Sequence, residues 1–223
     1  MSKPVKDQTD KTALPQAFQD VPQDYLQMPA TRKGAKIGLF GGSFNPPHAG
    51  HVLVAELALE RLGLDQVWWM VTPGNPLKDV SELAPLSKRI ALSEALMRDK
   101  RIHVTAFEAV YQVRYTADTL ALVRKHNPDM HLVWIMGADN LMNFHHWQEW
   151  DEIARTYPIA VINRPGSNMA AEDSVMAQQF GAARLPETEA DRLAVTPAPA
   201  WVFIHGPQSD LSSTQLRQQT AGE

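Results

Sequence analysis

Apolar residues alternate along this chain between short continuous runs and runs with helical spacing. KIGLF, from residue 36, is typical of a buried strand, and residues 48–62 follow as a predicted helix. Further strands are predicted at QVWWMV, IHVTAF, MHLVWIMG, PIAVINRPG and WVFIH. Further helices are predicted from about Ser87 as the N-cap, at TADTLALVRKH and near SSTQLRQQ. This alternation predicts a doubly wound α/β fold, with a mostly parallel sheet and helices on both faces.

Composition narrows the function classes without naming one. The 223 residues suit one domain with a full core, and the net charge of -4 is interspersed, which argues against nucleic-acid binding. The absence of cysteine excludes disulfides, zinc fingers, iron–sulfur clusters and a thiol nucleophile. No apolar run approaches the roughly 20 residues of a membrane helix, and the N-terminus lacks a hydrophobic signal core. We therefore expect a soluble, cytoplasmic protein that binds no membrane.

The chain divides into an extension and one domain. Residues 1–34 are polar and proline-punctuated, so we expect a flexible N-terminal extension and a domain over residues 35–223. Tyr25, Leu26 and Met28 could pack onto the domain or a partner, but a passive tail is the favoured interpretation. Within the domain, residues from about 167 to 200 are Ala-rich and predicted to be a variable insert.

The most informative stretch is GGSFNPPHAGH, where the first predicted strand meets the first predicted helix. Gly41 and Gly42 would permit backbone angles or close approaches that a side chain forbids. Ligands bind beyond the carboxyl ends of the strands in such sheets, and a helix N-terminus favours phosphate. His48 and His51, three residues apart, would share one face at that end, and Gly50 would leave room for a base or ribose.

Four other interpretations of this stretch compete with a site of this kind. The Gly-x4-Gly-Lys-Ser/Thr spacing of a P-loop and the Gly-x-Gly-x-x-Gly fingerprint are both absent. A zinc site would need three or four convergent ligands, and no third ligand is evident nearby. The histidine pair could also serve as a structural cap of the helix.

Four further motifs follow this stretch in the chain. They are YTADTL at 115–120, IMGADNLMNFHHWQEWDEI at 135–153, NRPG at 163–166 and SSTQLR at 212–217. In this order the five motifs resemble those of bacterial nicotinate-nucleotide adenylyltransferases, in the His-x-Gly-His nucleotidyltransferase superfamily. The resemblance implies a Rossmann-like fold and transfer of the adenylyl group of ATP to nicotinate mononucleotide, giving deamido-NAD and pyrophosphate. It also implies Mg²⁺ bound mainly through the ATP phosphates, with no protein metal site.

The resemblance also implies roles for individual residues. Residues in contact with the reacting phosphates would be His48, His51 and Arg217, with His51 the first choice for the transition state. ATP-binding residues would be Gly41, Gly42, Ser43, Phe44, Gly50, Gly137, Asp139, Ser213 and Thr214. Acceptor-binding residues would be Lys78, Thr116, Trp147 and Gln148. The tryptophans inside strands, Trp68, Trp69 and Trp134, are expected in the core.

Backbone N–H groups near Trp147 and Gln148 are expected to point outward, where they would favour a carboxylate over a carboxamide on the pyridine ring. Two residues depart from the family pattern. Leu77 stands where histidine is common, so Lys78 would contact the acceptor phosphate alone, and Asn45 stands where aspartate is frequent. A sister adenylyltransferase using pantetheine phosphate and a nucleotide-binding regulatory protein remain alternatives. The oligomeric state is open, a homo-oligomer included.

Overall fold

A single parallel sheet organises the residues that the computed structural model describes, which are 18–74, 83–163 and 173–206. Its strands are β1 Lys36–Gly42, β2 Gln66–Val71, β3 Ile102–Thr105, β4 His131–Gly137, β5 Ile159–Ile162, β6 Arg184–Leu185 and β7 Trp201–Ile204. They pair in the order β3-β2-β1-β4-β5-β7-β6, and every pairing is parallel. The chain therefore starts in the middle of the sheet and winds outward in both directions, as the doubly wound prediction requires.

Helices cover both faces of this sheet. They are α1 Ala49–Arg61, α2 Leu86–Leu96, α3 Glu108–Tyr111, α4 Thr116–His126, α5 Ala138–Leu141, α6 Trp150–Thr156 and α7 Val175–Gln179. Short 3₁₀ segments are Gln23–Leu26, Phe144–His146, Gly181–Ala183 and Glu187–Val195. Apolar residues of α1 and α2 form one core cluster, and those of α4, α5, α6 and α7 form a second on the other face. The predicted α/β fold is confirmed.

The strands are apolar on both sides because both of their faces are covered. Trp68 and Trp69 are adjacent in β2 and point to opposite faces, so each belongs to a different core cluster. Both are fully buried, and Trp134 in β4 is 3% exposed. The expectation that these three tryptophans are core residues is confirmed.

The start of the described chain packs on the domain. Val21 and Leu26 are buried beside α2 and β3 residues of the first core cluster. The backbone carbonyl of Tyr25 accepts from Ala106 N at 2.7 Å, and Thr105 Oγ1 donates to the carbonyl of Gln27 at 2.8 Å. The expectation of a passive tail is therefore wrong for residues 18–34, and residues 1–17 lie outside the described residues.

Two other boundaries differ from the sequence-based predictions. Helix α2 starts at Leu86 with Pro85 as N-cap, and Ser87 Oγ bonds the carboxylate of Asp20 instead of capping the helix. The predicted insert contributes α7 and the edge strand β6, which pairs with β7 through Arg184 and Leu185. Because β6 has only two residues, it shows no apolar alternation from which a strand could be predicted. Among the described residues, no helix has both the length and the apolar character needed to cross a bilayer.

Candidate active site

The junction between β1 and α1 lies at the carboxyl edge of the sheet and brings two imidazoles together. His48 is the N-cap of α1, and its Nδ1 accepts a hydrogen bond from Gly50 N at 3.1 Å. His51 reaches back, and its Nδ1 accepts from His48 N at 3.3 Å. The two bonds form a reciprocal capping box, and the two ring centroids lie 3.8 Å apart. The cap considered in the sequence thus exists, and both rings share one end of the helix as predicted.

This capping box determines which nitrogen of each ring carries the proton. A neutral imidazole has one donor and one acceptor nitrogen. Because Nδ1 of both His48 and His51 accepts, we assign the proton to Nε2 in both rings. The cap and a donor role are therefore compatible, since they use different nitrogens of the same ring. The N-terminus of a 13-residue helix adds a favourable field for anions at this position.

The two glycines at the end of β1 are needed for close approach of aromatic rings. A Cβ on Gly41 would lie 3.0 Å from Cη2 of Trp134, and one on Gly42 would lie 3.1 Å from the ring of Phe44. Both glycines continue the strand pairing with β2, so unusual backbone angles are not the reason for them. Of the two reasons considered in the sequence, close approach is the one observed, and the approaching groups belong to the protein. Contact of these glycines with a nucleotide stays a prediction.

Phe44 is buried beneath the turn. Its backbone has a φ of 45°, and its ring stacks on Trp69 with centroids 4.2 Å apart. The same ring packs edge-on against the imidazole of His51, with the ring centroids 5.1 Å apart, and so limits the positions that this imidazole can adopt. Because Phe44 is only 3% exposed, its side chain shapes the turn and only its backbone could line a ligand. Ser43 is half-buried beside it, and Gly50 is buried with its N–H committed to His48.

Gly137 and Asp139 occupy the neighbouring position on the same edge. Strand β4 pairs with β1, and Gly137 ends β4 and caps α5. Gly137 is buried, whereas Asp139 is exposed in the first turn of α5. Asp139 thus lies just past the end of the strand next to β1, and its contact with a ribose hydroxyl stays a prediction. The predicted phosphate ligands Ser213, Thr214 and Arg217 lie outside the described residues.

The predicted acceptor residues come from two separate segments. Thr116 is the first residue of α4, and Tyr115 before it provides no side-chain cap. Trp147 follows the 3₁₀ turn Phe144–His146 and packs its ring on Trp134 and Phe144, at centroid distances of 6.2 and 5.3 Å. Thr116 and Trp147 are both half-buried. Lys78 and the neighbouring Leu77 lie outside the described residues.

The expectation about backbone donors is wrong for Trp147. Its N–H donates to the carbonyl of Phe144 at 2.9 Å, because the 3₁₀ turn closes on that group. The N–H of Gln148 has no acceptor among the described residues, and Gln148 is exposed. Of the two N–H groups predicted to point outward, only that of Gln148 therefore has no acceptor among the described residues. The first N–H groups of α4 are further backbone donors, as at the start of any helix.

Two buried charged residues near these segments were missed in the sequence. Arg89 of α2 is 1% exposed and donates to backbone carbonyls of the β1–α1 and β2–α2 connections. Its signal is visible in retrospect, since Arg89 falls on the buried face of α2 with Leu86, Ile90 and Ser93. Glu108 of α3 accepts from Thr119 Oγ1 at 2.6 Å, and burial raises the pKa of Glu108 to about 7.

Sequence and structure comparisons agree with one another. The sequence profile of the cytidylyltransferase-like family matches residues 39–219. A probable nicotinate-nucleotide adenylyltransferase of Mesorhizobium japonicum is 61% identical over 195 residues, covering 87% of this chain and 100% of that protein. One from Agrobacterium fabrum is 65% identical over 181 residues, covering 81% of this chain and 97% of that protein.

A solved structure shares the fold. It is the Plasmodium falciparum nicotinic acid mononucleotide adenylyltransferase complexed with NaAD, which superposes with a TM-score of 0.62 over 82% of each chain. At 16% sequence identity this similarity supports the architecture and carries no residue assignment.

Proposed function

The chain belongs to the cytidylyltransferase-like family, among the nicotinate-nucleotide adenylyltransferases, and from this premise we propose that it transfers the adenylyl group of ATP to nicotinate mononucleotide. The products are deamido-NAD and pyrophosphate. The observation that carries this proposal is the His48–His51 capping box at the carboxyl edge of β1. It places two Nε2–H groups at a helix N-terminus, one on the half-buried His51 and one on the buried His48, and a polyphosphate is the ligand whose charge matches this position.

The reaction needs alignment more than a protein nucleophile. A 5′-phosphate oxygen of nicotinate mononucleotide attacks the α-phosphorus of ATP, and the bond from that phosphorus to the bridging oxygen breaks as pyrophosphate leaves. Both reacting groups belong to the substrates, so the protein holds them in line and stabilises the charge that develops between them. Preformed donors are well suited to this, because they need no rearrangement when the charge appears.

We assign the donor side of the reaction to the β1–α1 junction. Nε2–H of His51 would donate to the α-phosphate in the transition state, and Nε2–H of His48 to the neighbouring phosphates. Asp139 would accept from a ribose hydroxyl, and the buried Gly137 would let adenine lie close. Ser213, Thr214 and Arg217 are proposed for the β- and γ-phosphates from their motif alone.

Magnesium fits this site as a companion of ATP. Among the described residues, no three His, Asp or Glu side chains are grouped so that they could hold a metal ion. Mg²⁺ would be held by triphosphate oxygens and water, and it would neutralise phosphate charge. The residues of the chain then hold the phosphates and not the ion itself.

The acceptor side is assigned to Thr116, Trp147 and Gln148. The ring of Trp147 would lie against the pyridine ring, and the carboxylate would accept from Gln148 N–H and the first N–H groups of α4. Lys78 is proposed for the acceptor phosphate on its sequence position alone. The cytoplasmic location stays a prediction, and the oligomeric state is open.

A pyrophosphate-release assay with ATP and a panel of acceptors tests this function directly. The panel contains nicotinate mononucleotide, nicotinamide mononucleotide and pantetheine phosphate. We expect rapid release with nicotinate mononucleotide and a product that contains adenylate and nicotinate. Release only with pantetheine phosphate would assign the sister activity, and ATP binding without release would indicate a regulatory protein.

A further inference from the structure

Arg89 is a buried cation surrounded by backbone carbonyls. Its side chain donates through Nε to the carbonyl of Ala84 at 2.9 Å, and through one terminal nitrogen to Ser43 at 2.6 Å and Thr72 at 2.8 Å. The other terminal nitrogen reaches the carbonyl of Pro73 at 3.4 Å. No carboxylate among the described residues forms an ion pair with it, and its pKa, lowered to about 10 by burial, leaves it charged at neutral pH.

These four carbonyls belong to the two connections that border the proposed reaction. Ser43 lies in the β1–α1 turn, five residues before the N-cap His48. Thr72 and Pro73 follow β2, and Ala84 precedes α2, so Arg89 holds both ends of the connection that contains Lys78. A second bond joins the same connections, because Ala84 N donates to Asn45 Oδ1 at 3.1 Å.

One planar guanidinium thus fixes the distance between the donor turn and the acceptor connection. Its fork bonds several carbonyls in fixed directions at once, which a lysine ammonium on a flexible chain does not do. If each connection were held only by its own contacts, no single side chain would need to bond carbonyls in both, as Arg89 does. The aliphatic stem of Arg89 also lies with Leu86 and Ile90 on the buried face of α2, which limits its rotamers.

We propose that Arg89 is a positioning residue for adenylyl transfer, which sets the donor turn and the acceptor connection in register without touching either substrate. The proposal rests on the function given above. Binding of ATP would depend on the donor turn and binding of nicotinate mononucleotide on the acceptor connection, whereas the transfer reaction depends on the position of one connection relative to the other. Loss of the fork should therefore lower turnover far more than it weakens the binding of either substrate.

The test uses the full chain with Arg89→Lys and Arg89→Ala, and Lys88→Ala as the matched control. Lys88 is the exposed neighbour on the same helix, so its loss removes an equal charge without touching the connections. For each variant one measures the thermal midpoint, the Kd of ATP, the Kd of nicotinate mononucleotide and kcat of pyrophosphate release. We expect Arg89→Lys to lose about 10²-fold in kcat, the scale of a misplacement of about 1 Å, with each Kd within about 3-fold of wild type.

Chemical rescue separates positioning from general loss of structure. Guanidinium chloride at a non-denaturing concentration should raise kcat of Arg89→Ala at least about 5-fold over equal sodium chloride, because the ion can occupy the vacated fork position. It should not raise kcat of Lys88→Ala.

Each outcome decides the proposal. A kcat for Arg89→Lys within about 3-fold of wild type would overturn it, as would equal losses in both Kd values and kcat. If Arg89→Ala does not fold, the Arg89→Lys split between kcat and Kd decides alone. A wild-type protein without pyrophosphate release would refute the function itself, whereas an active wild type with an unaffected Arg89→Lys refutes only the positioning role.

Discussion

The donor and acceptor sides of the proposed site are built in different ways. The donor side is centred on one continuous segment, from Gly41 to His51, whose parts contact each other through the reciprocal cap and the edge-on contact of Phe44 with His51. The acceptor side draws on the start of α4 and on the turn that follows α5, and its proposed contact residues Thr116, Trp147 and Gln148 are half-buried or exposed. A short stretch of chain therefore specifies the first, whereas the second depends on two segments that are far apart in the chain.

The two sides are not independent, because aromatic rings connect them. Trp147 packs edge-on against Trp134, and Cη2 of Trp134 lies 3.0 Å from where a Cβ of Gly41 would stand. A substitution that changes the volume of Trp134 would therefore displace both Gly41 and Trp147, because close-packed interiors transmit small displacements. In the proposed site, the groups that would contact the reacting phosphates therefore lie on a segment held by its own local contacts, and the groups that would recognise the acceptor lie on two separate segments.

The largest expected effect separates the cap from the chemistry on the donor side. In His51→Asn the side-chain oxygen can replace Nδ1 as the acceptor for His48 N, but no group replaces Nε2–H. We expect kcat to fall about 10²–10³-fold, the effect of losing one transition-state donor. The thermal midpoint should change by less than about 2 °C, since the cap is kept.

The matched control for this variant is His131→Asn, an exposed histidine at the opposite edge of the sheet. It should leave both kcat and the thermal midpoint unchanged. Turnover of His51→Asn close to wild type would remove His51 from the chemistry and leave it only as a cap.

A smaller effect is expected on the acceptor side. We predict that kcat/KM is at least about tenfold higher with nicotinate mononucleotide than with nicotinamide mononucleotide. A carboxylate can accept from Gln148 N–H and from the N-terminus of α4, whereas a carboxamide would turn its NH₂ toward one of these donors. Steady-state kinetics with each mononucleotide at saturating ATP measure the ratio.

Thr116→Ala separates the contribution of the Thr116 hydroxyl from that of the backbone donors, because it removes the hydroxyl and keeps those donors. Part of the preference should survive in that variant. Comparable kcat/KM for both mononucleotides in the wild type would refute the ring site while adenylyl transfer itself would stand.

The smallest effect concerns the buried carboxyl beneath the acceptor side. Burial raises the pKa of Glu108 from its usual 4.5 to about 7, so the folded protein keeps a proton that the unfolded chain releases. The free energy of unfolding should therefore fall as pH rises from about 4.5 to about 7 and then level off. Glu108→Gln cannot titrate and still accepts from Thr119 Oγ1, so its thermal midpoint should exceed that of wild type by a few degrees more at pH 8 than at pH 5.

Glu56→Gln is the control for this pH dependence, since Glu56 is exposed on α1. Its midpoint should follow wild type at both pH values. A constant difference between Glu108→Gln and wild type from pH 5 to pH 8 would contradict a raised pKa at Glu108.

The parts of the site that were predictable are those encoded over short distances. Apolar runs and helical spacing located β1 and α1, and the pairing of His48 with His51 follows from three-residue spacing at a helix start. A close approach at Gly41 was predictable, but the group that approaches was not, because Trp134 lies far along the chain. Edge strand β6 has two residues, which is too short to produce an alternating pattern.

Local patterns in the sequence specify the alternation of strands and helices, the glycine and histidine turn, and the ordered motifs that carry the family resemblance. Contacts between distant segments pack residues 18–34 on the domain and let Arg89 join two connections, and no local pattern indicates either. The physical reason is the range of the interactions. Periodicity and capping act within a few residues, whereas a buried cation finds its carbonyls only after segments distant in the chain have packed together.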